Sequence, residues 1–378
     1  MNIPANWSLH PGEIVFYAFA ATALIQLLYY LLLFRRVAFF HKKEKQKSQQ
    51  HPVSIIICAR DEAANLASNL PGVLVQTYPS THEVIVINDN SVDETKYFLD
   101  ELKKTFRHLQ TVNLEYEAKL IPGKKYPLSI GIKEAKHELV LLTDADCMPA
   151  SEFWLQKMQD GYDEGIEIVL GYGAYNKRPG ILNKLIRFET FHTALQYLSY
   201  ALSGMPYMGV GRNLSYTKRL FFQHKGFSSL NHVTGGDDDL FINKVATPTN
   251  TAVVIDPDAV TRSEPKKTWG DWIRQKTRHY STGKYYKPKH RFLLGLYSFS
   301  HFIFFPLFVA SLILFDWRLA IGVFLLRALV QGWIFYRSMG KLGEKDLWPW
   351  WWLLDLWMFV YYLIFAPSLW KKPRKTWD

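Results

Sequence analysis

Two short acidic clusters each follow an apolar run: Asn88-Asp89-Asn90-Ser91 after Val84-Ile85-Val86-Ile87, and Thr143-Asp144-Ala145-Asp146 after Leu139-Val140-Leu141-Leu142. Carboxylates two residues apart just past a strand can take one hard divalent cation, leaving the rest of its octahedral shell to substrate phosphate oxygens and water. A metal so placed stabilises the charge of a departing diphosphate. A third cluster, Asp237-Asp238-Asp239, follows Gly235-Gly236. One of its carboxylates could serve as general base toward an acceptor hydroxyl. Turn and cap preferences alone explain many such residues. They suffice for Ser91-Val92-Asp93-Glu94, where Ser91 reads as an N-cap with Glu94 three residues on. No G-x-x-x-x-G-K-[ST] loop occurs, and Gly209-Val210-Gly211-Arg212-Asn213-Leu214 lacks the third glycine of a dinucleotide fingerprint. Positive charge for a phosphorylated ligand must therefore come from side chains. The run from Trp269 to Tyr286 supplies Arg274, Lys276, Arg278 and Lys284 beside Gln275, His279, Tyr285 and Tyr286. The plainer reading of that run is an interfacial amphipathic helix.

The elements that must hold these residues alternate. Val53–Cys58, Val84–Ile87, Leu139–Leu142 and Ile166–Leu170 are short, nearly continuous apolar runs, as buried parallel strands show. Helical stretches over Glu62–Leu70, Val92–Phe106 and Leu128–Ala135 separate them. The fold class is α/β, with a mostly parallel sheet and ligands bound beyond the carboxyl ends of its strands.

Flanking this middle are apolar stretches. At 378 residues, with 48% hydrophobic and 21% charged, the chain is neither disordered nor, with two cysteines, a disulfide scaffold. Ile14–Phe34 holds no charge and at roughly 1.5 Å per residue matches a ~30 Å hydrocarbon core. Residues 1–13 carry no Lys or Arg, whereas Arg35, Arg36, Lys42, Lys43, Lys45 and Lys47 follow the span. The positive-inside rule thus makes 1–13 extracytoplasmic, 14–34 a transmembrane helix and 35–51 a cytoplasmic basic linker. A domain over 52–290 precedes a membrane region over 291–370 of two to three helices, then a basic tail, 371–378. If the last stretch crosses, the tail falls outside against the rule; the alternative is a re-entrant or interfacial segment. Arg327 and Asp355, inside apolar spans, either pair or snorkel. Segments 35–48, 266–291 and 371–375 carry +5, +8 and +4, so a chain of net +11 is −6 elsewhere. The charge is juxtamembrane, which suits a bilayer surface and excludes nucleic acid as partner.

The order of motifs resembles the membrane-anchored family 2 glycosyltransferases of the GT-A fold, which include polysaccharide synthases and ceramide glucosyltransferases. Ala59-Arg60-Asp61-Glu62 is similar to the family's A-R-N-E turn, Asp89 to its uracil-side acid, Gly123-Lys124 through Gly131 to its G-K-x-x-x-L-N-x-G segment, and Asp144-Ala145-Asp146 to its D-x-D. The resemblance implies donor binding by Ala59, Arg60, Glu62, Asp89, Lys124 and Asp144, with Mg²⁺ or Mn²⁺ on Asp144 and Asp146. It implies a base in the acidic triplet: counting back from Leu240 selects Asp237, and pairing with the two acids of E-D-x-x-L selects Asp238. Gly211, in a segment like the family's acceptor-side G-x-G, and Gln275, Arg278 and His279, which resemble Q-x-x-R-W with His for Trp, would serve acceptor and leaving group. The expected activity is an inverting, metal-dependent transfer from a nucleotide sugar, UDP-linked, to a lipid or lipid-linked acceptor, by a multi-pass protein of the cell membrane with its catalytic domain on the cytoplasmic face. A processive polysaccharide synthase is the alternative enzyme, and a membrane scaffold or transport component with a degenerate nucleotide-binding domain the alternative of another class.

Overall fold

The computed structural model describes residues 10–41, 50–115, 121 and 123–369. Residues 1–9, the linker lysines from Lys42 to Lys47 and the tail cations from Lys371 to Lys375 lie outside them.

Among the described residues ten strands form two sheets: β1 Val53–Ala59, β2 His82–Asp89, β3 Leu109–Leu114, β4 Leu139–Asp144, β5 Cys147–Pro149, β6 Ile168–Leu170, β7 Gly173–Tyr175, β8 Leu214–Thr217, β9 Thr251–Val253 and β10 Thr261–Ser263. The main sheet has the order β3-β2-β1-β4-β8-β6-β9, and β5-β10-β7 form a second. Only β8 runs against its neighbours in the main sheet, pairing antiparallel with β4 and β6. All seven residues of β1 are buried, because helices cover both faces of the parallel half, and such strands become apolar throughout. Helix Lys125–Glu134 sits so close that a Cβ on Gly131 would lie 2.6 Å from Cγ2 of Ile56.

Register sets the functional edge. Cys58 lies opposite both Ile87 and Asp144, so β1, β2 and β4 deliver Arg60, Asp89 and Asp144 to one side of the sheet. Asp61 and Asn90 both turn through left-handed backbone with φ 55°. The Asp61 carboxylate accepts the Val92 N–H (2.7 Å), and its own N–H donates to the Ser91 hydroxyl (2.9 Å). Ser91 is therefore not the expected N-cap: the helix starts at Thr95, with Glu94 as N-cap and no side-chain cap. Asp93 bridges the turns instead, accepting the Ala63 and Thr95 N–H groups at 3.0 Å each. Orphan amides of two adjacent turns outcompeted a local cap for these oxygens.

Helix Ile181–Leu202 has no counterpart in the sequence reading. Fifteen of its 22 residues are buried, Arg187, Glu189 and His192 among them. It bears on the apolar helices: among the described residues four helical runs, Pro11–Ala38, Pro288–Leu314, Trp317–Lys341 and Lys345–Ser368, are long and apolar enough to cross a bilayer. Arg327 and Asp355 pair at 2.5 Å, fully buried, with Gln26, Gln331 and His301 completing the hydrogen bonds. Of the two readings for this Arg and Asp, pairing is the one present.

Candidate active site

Asp144 ends β4 and Asp146 follows the next turn. Their carboxylate oxygens and the Cys147 sulfur lie within 4.8 Å of one another. Burial opposes ionisation of Asp144, but the ammonium of Lys124, ion-paired with it, and the charges of Arg212 and Arg278 hold its carboxyl below the usual value. Asp146 goes the other way, raised by burial and then by the negative charge of Asp144. The Cys147 thiol donates to Asp146 at 3.3 Å, and burial beside two acids pushes its pKa well up. Two hard oxygen donors under mutual repulsion fit a divalent cation such as Mg²⁺ or Mn²⁺.

Lys124 is placed by the turn before helix Lys125–Glu134, entered through Gly123 at φ 75°. A Cβ there would meet the Gly235 nitrogen at 3.7 Å, so this turn abuts the glycine pair ahead of the acidic triplet. The triplet's three carboxylates have different surroundings. Asp239 is buried; its Oδ2 accepts the Thr282 hydroxyl (2.6 Å) and the Tyr286 hydroxyl (2.8 Å). Asp238 caps helix Asp239–Val245, taking the Asp239 N–H at 2.7 Å and the Gly211 N–H at 2.8 Å. Burial and the charges of Asp237 and Asp239 nonetheless push Asp238 up to about 8. The Asp237 carboxylate has no hydrogen-bond or ion-pair partner among the described residues. Its charge acts on Lys124, Lys125 and the Cys58 thiol, which also feels Asp144 and Asp89.

The structure thus brings Lys124, Asp144, Asp146, Asp237 and Asp238 around the end of β1, whose last residue, Ala59, is buried opposite Asn88. Asp89 is buried one residue beyond that pair, holding the Asn90 amide at 3.2 Å. Arg60 is exposed at the mouth. Glu62 accepts from Asn65, and burial, with Asp146 and Asp144 nearby, raises its carboxyl. Gly211 serves Asp238 rather than standing apart from the acids. Gln275, Arg278 and His279 lie on helix Trp269–Tyr280, capped by Thr268. Gln275 donates to the Tyr175 hydroxyl at 3.4 Å, the charge of Arg278 reaches Asp144, and desolvation with the charges of Lys276 and Arg278 holds the His279 imidazole well below its ordinary pKa.

Sequence reasoning missed Arg212. It follows Gly211 in the 3-10 turn, its guanidinium 4.3 Å from the Tyr175 ring centroid and hydrogen-bonded to Ser263 at 3.2 Å, and its charge acts on both Asp144 and Asp146. Its place one residue past the G-x-G was the available signal. Lys125 was missed too: buried, it donates to the Val233 carbonyl behind the triplet.

Comparison with known proteins finds relatives in sequence and in fold. The probable glycosyltransferase YdaM of Bacillus subtilis is 24% identical over 303 residues, 71% of this chain and 68% of that one. A Nostoc beta-monoglucosyldiacylglycerol synthase is 33% identical over 104 residues, 27% of this chain and 22% of that one. Among solved structures, the mannosyltransferase PcManGT from Pyrobaculum calidifontis, in complex with GDP-Man and Mn²⁺, superposes with a TM-score of 0.59 over 93% of this chain and 99% of its own, at 18% identity, a likeness of fold. The model of the glycosyltransferase-like family 2 matches residues 51–282, the span that contains the D-x-D, the lysine turn and the acidic triplet, and the chain belongs to that family.

Proposed function

We propose that the protein transfers a sugar, with inversion, from a nucleotide diphosphate donor, a UDP-sugar, to a hydroxyl of a lipid or lipid-linked acceptor at the cytoplasmic face of the cell membrane. The observation that carries this reading is the Lys124–Asp144 ion pair beside Asp146: phosphate-binding charge and cation-binding oxygens share one sheet edge. Asp144 and Asp146 would hold a divalent cation, which would supply charge stabilisation to a departing diphosphate. Lys124, Arg212 and Arg278 add fixed positive charge where that negative charge develops. Asp89 faces the nucleoside end. Asp237, the triplet carboxylate not committed to the fold, takes the acceptor proton while the acceptor oxygen bonds to the anomeric carbon and the bond to the diphosphate breaks. Asp238 positions the Gly211 turn. A relative named for a diacylglycerol product supports the lipid acceptor, as do four membrane-length helices in the same chain.

The test is purified protein with Mn²⁺ or Mg²⁺ and a panel of labelled nucleotide sugars, read by lipid extraction. Label entering the lipid phase, lost in Asp144→Asn, is the expected outcome. Consumption of no donor, or equal transfer by Asp144→Asn, defeats the proposal.

A further inference from the structure

The last apolar segment, Lys345–Ser368, is long enough to cross a bilayer, yet both of its ends are attached to the catalytic domain. At its start, Arg187 of helix Ile181–Leu202 donates to Glu344 at 2.9 Å and to Asp346 at 2.7 Å, with Arg187 and Glu344 buried. Toward its end, Tyr361 and Phe365 pack on Trp272 with ring centroids 6.1 and 5.4 Å apart, and on Tyr280 at 5.7 and 5.8 Å. Trp272 and Tyr280 belong to the basic helix that carries Gln275 and Arg278. A crossing helix would carry its far end some 30 Å from the side on which it began. The regular part, Trp351–Phe365, is 15 residues long, about 22 Å at roughly 1.5 Å per residue. Near its start Asp355 meets Arg327 and His301, which lie at mid-length of the two preceding helices, so it dips to about the middle of the bundle before turning back.

We infer that this helix does not span the membrane but lies in the leaflet that faces the catalytic domain. Its inner face clamps helix Trp269–Tyr280 and its outer face is a docking surface for lipid acyl chains. Trp352, Leu353, Leu356, Leu363 and Ile364 make that outer face, all exposed. Lipid is the occupant because the neighbouring helices Pro288–Leu314 and Trp317–Lys341 present exposed Phe, Leu and Trp of the same kind, and tryptophan at such density marks the bilayer interface. The placement also puts the four cations after residue 370 on the side of the linker lysines, as the positive-inside rule requires. The inference concerns membrane placement and stands independently of the sugar-transfer reading.

Single-cysteine reporters in the full chain test it: Val92→Cys on the catalytic domain, where Val92 is 92% exposed, Trp317→Cys in the turn between the preceding helices, and Lys375→Cys in the tail. Both native cysteines are buried. With an impermeant maleimide on sealed vesicles, Lys375→Cys labels in the same vesicle orientation as Val92→Cys, and Trp317→Cys in the opposite one. Labelling of Lys375→Cys together with Trp317→Cys overturns the inference. A fluorophore on Leu356→Cys, beside Asp355 at mid-depth of the bundle, is then quenched by deep nitroxide lipids. Quenching by neither deep nor shallow lipids removes the docking face.

Discussion

The Lys124 ammonium is ion-paired with the Asp144 carboxylate, joining the turn before helix Lys125–Glu134 to the carboxyl end of β4. Neither group is fully buried, with side chains 17% and 35% exposed, so a ligand can reach both. The pair favours the ionised form of Asp144, whose charge raises the Asp146 carboxyl. Lys124→Met removes a hydrogen bond to a charged group, an interaction of about 1.5–3 kcal/mol. Affinity for a nucleoside diphosphate with Mn²⁺ should fall about 10- to 100-fold by titration calorimetry; unchanged affinity would reduce Lys124 to a structural partner of Asp144.

Asp238 supplies a pH signature. Its carboxyl, raised to about 8 in the folded protein, stays near the ordinary value when unfolded. Between about pH 4 and pH 8 the native state therefore binds the extra proton, and this residue's contribution to stability declines as pH rises across that window. Asp238→Asn abolishes the dependence while its amide oxygen can still accept the Gly211 N–H. Its melting temperature relative to the parent protein should improve on going from pH 5 to pH 8; a constant difference would mean that Asp238 does not titrate there.

Much of this site was legible because its chemistry sits in short polar words directly after apolar ones. β1, β2 and β4 are buried on both faces, so their continuous Ile, Val and Leu runs announced them, and register did the rest. Helix Ile181–Leu202 left no such trace. Its buried Arg187, Glu189 and His192 are satisfied by distant groups, so apolar and polar residues are spread around all its faces and no periodic stripe forms. Ser91 was misread because its hydroxyl answers Asp61, thirty residues away, and local sequence cannot reveal that competitor. Arg212 was overlooked for a similar reason: only the fold brings Tyr175 and Ser263 beneath it.

Asp239 anchors the triplet to the segment entering the membrane region. Asp239→Ala leaves the Tyr286 hydroxyl without its carboxylate acceptor, while the Thr282 hydroxyl keeps the His279 carbonyl at 2.9 Å; one buried polar group left unpaired costs about 1–3 kcal/mol. Denaturant unfolding in detergent should show a loss of roughly 1–3 kcal/mol. A loss under about 0.5 kcal/mol, the scale of an ordinary surface change, would mean that water replaces the carboxylate.

Lys276 and Glu189 form an ion pair with each side chain only 7% exposed, tying the Gln275–Arg278 helix to helix Ile181–Leu202. Glu189→Gln strands a buried ammonium and should destabilise by about 3–5 kcal/mol, whereas the double change Glu189→Gln with Lys276→Met should recover most of that loss. A double-mutant cycle by thermal unfolding checks this; additive effects would show that the two side chains are not coupled.

The central claim is that Asp237 removes the acceptor proton in a metal-dependent sugar transfer, and the most direct measurement is single-turnover transfer of labelled sugar to membrane lipid by Asp237→Asn beside the parent protein. The account predicts that nucleotide-sugar binding with Mn²⁺ survives while the transfer rate falls by about 10²–10⁴, the usual contribution of a general base. Near-normal transfer by Asp237→Asn would contradict it.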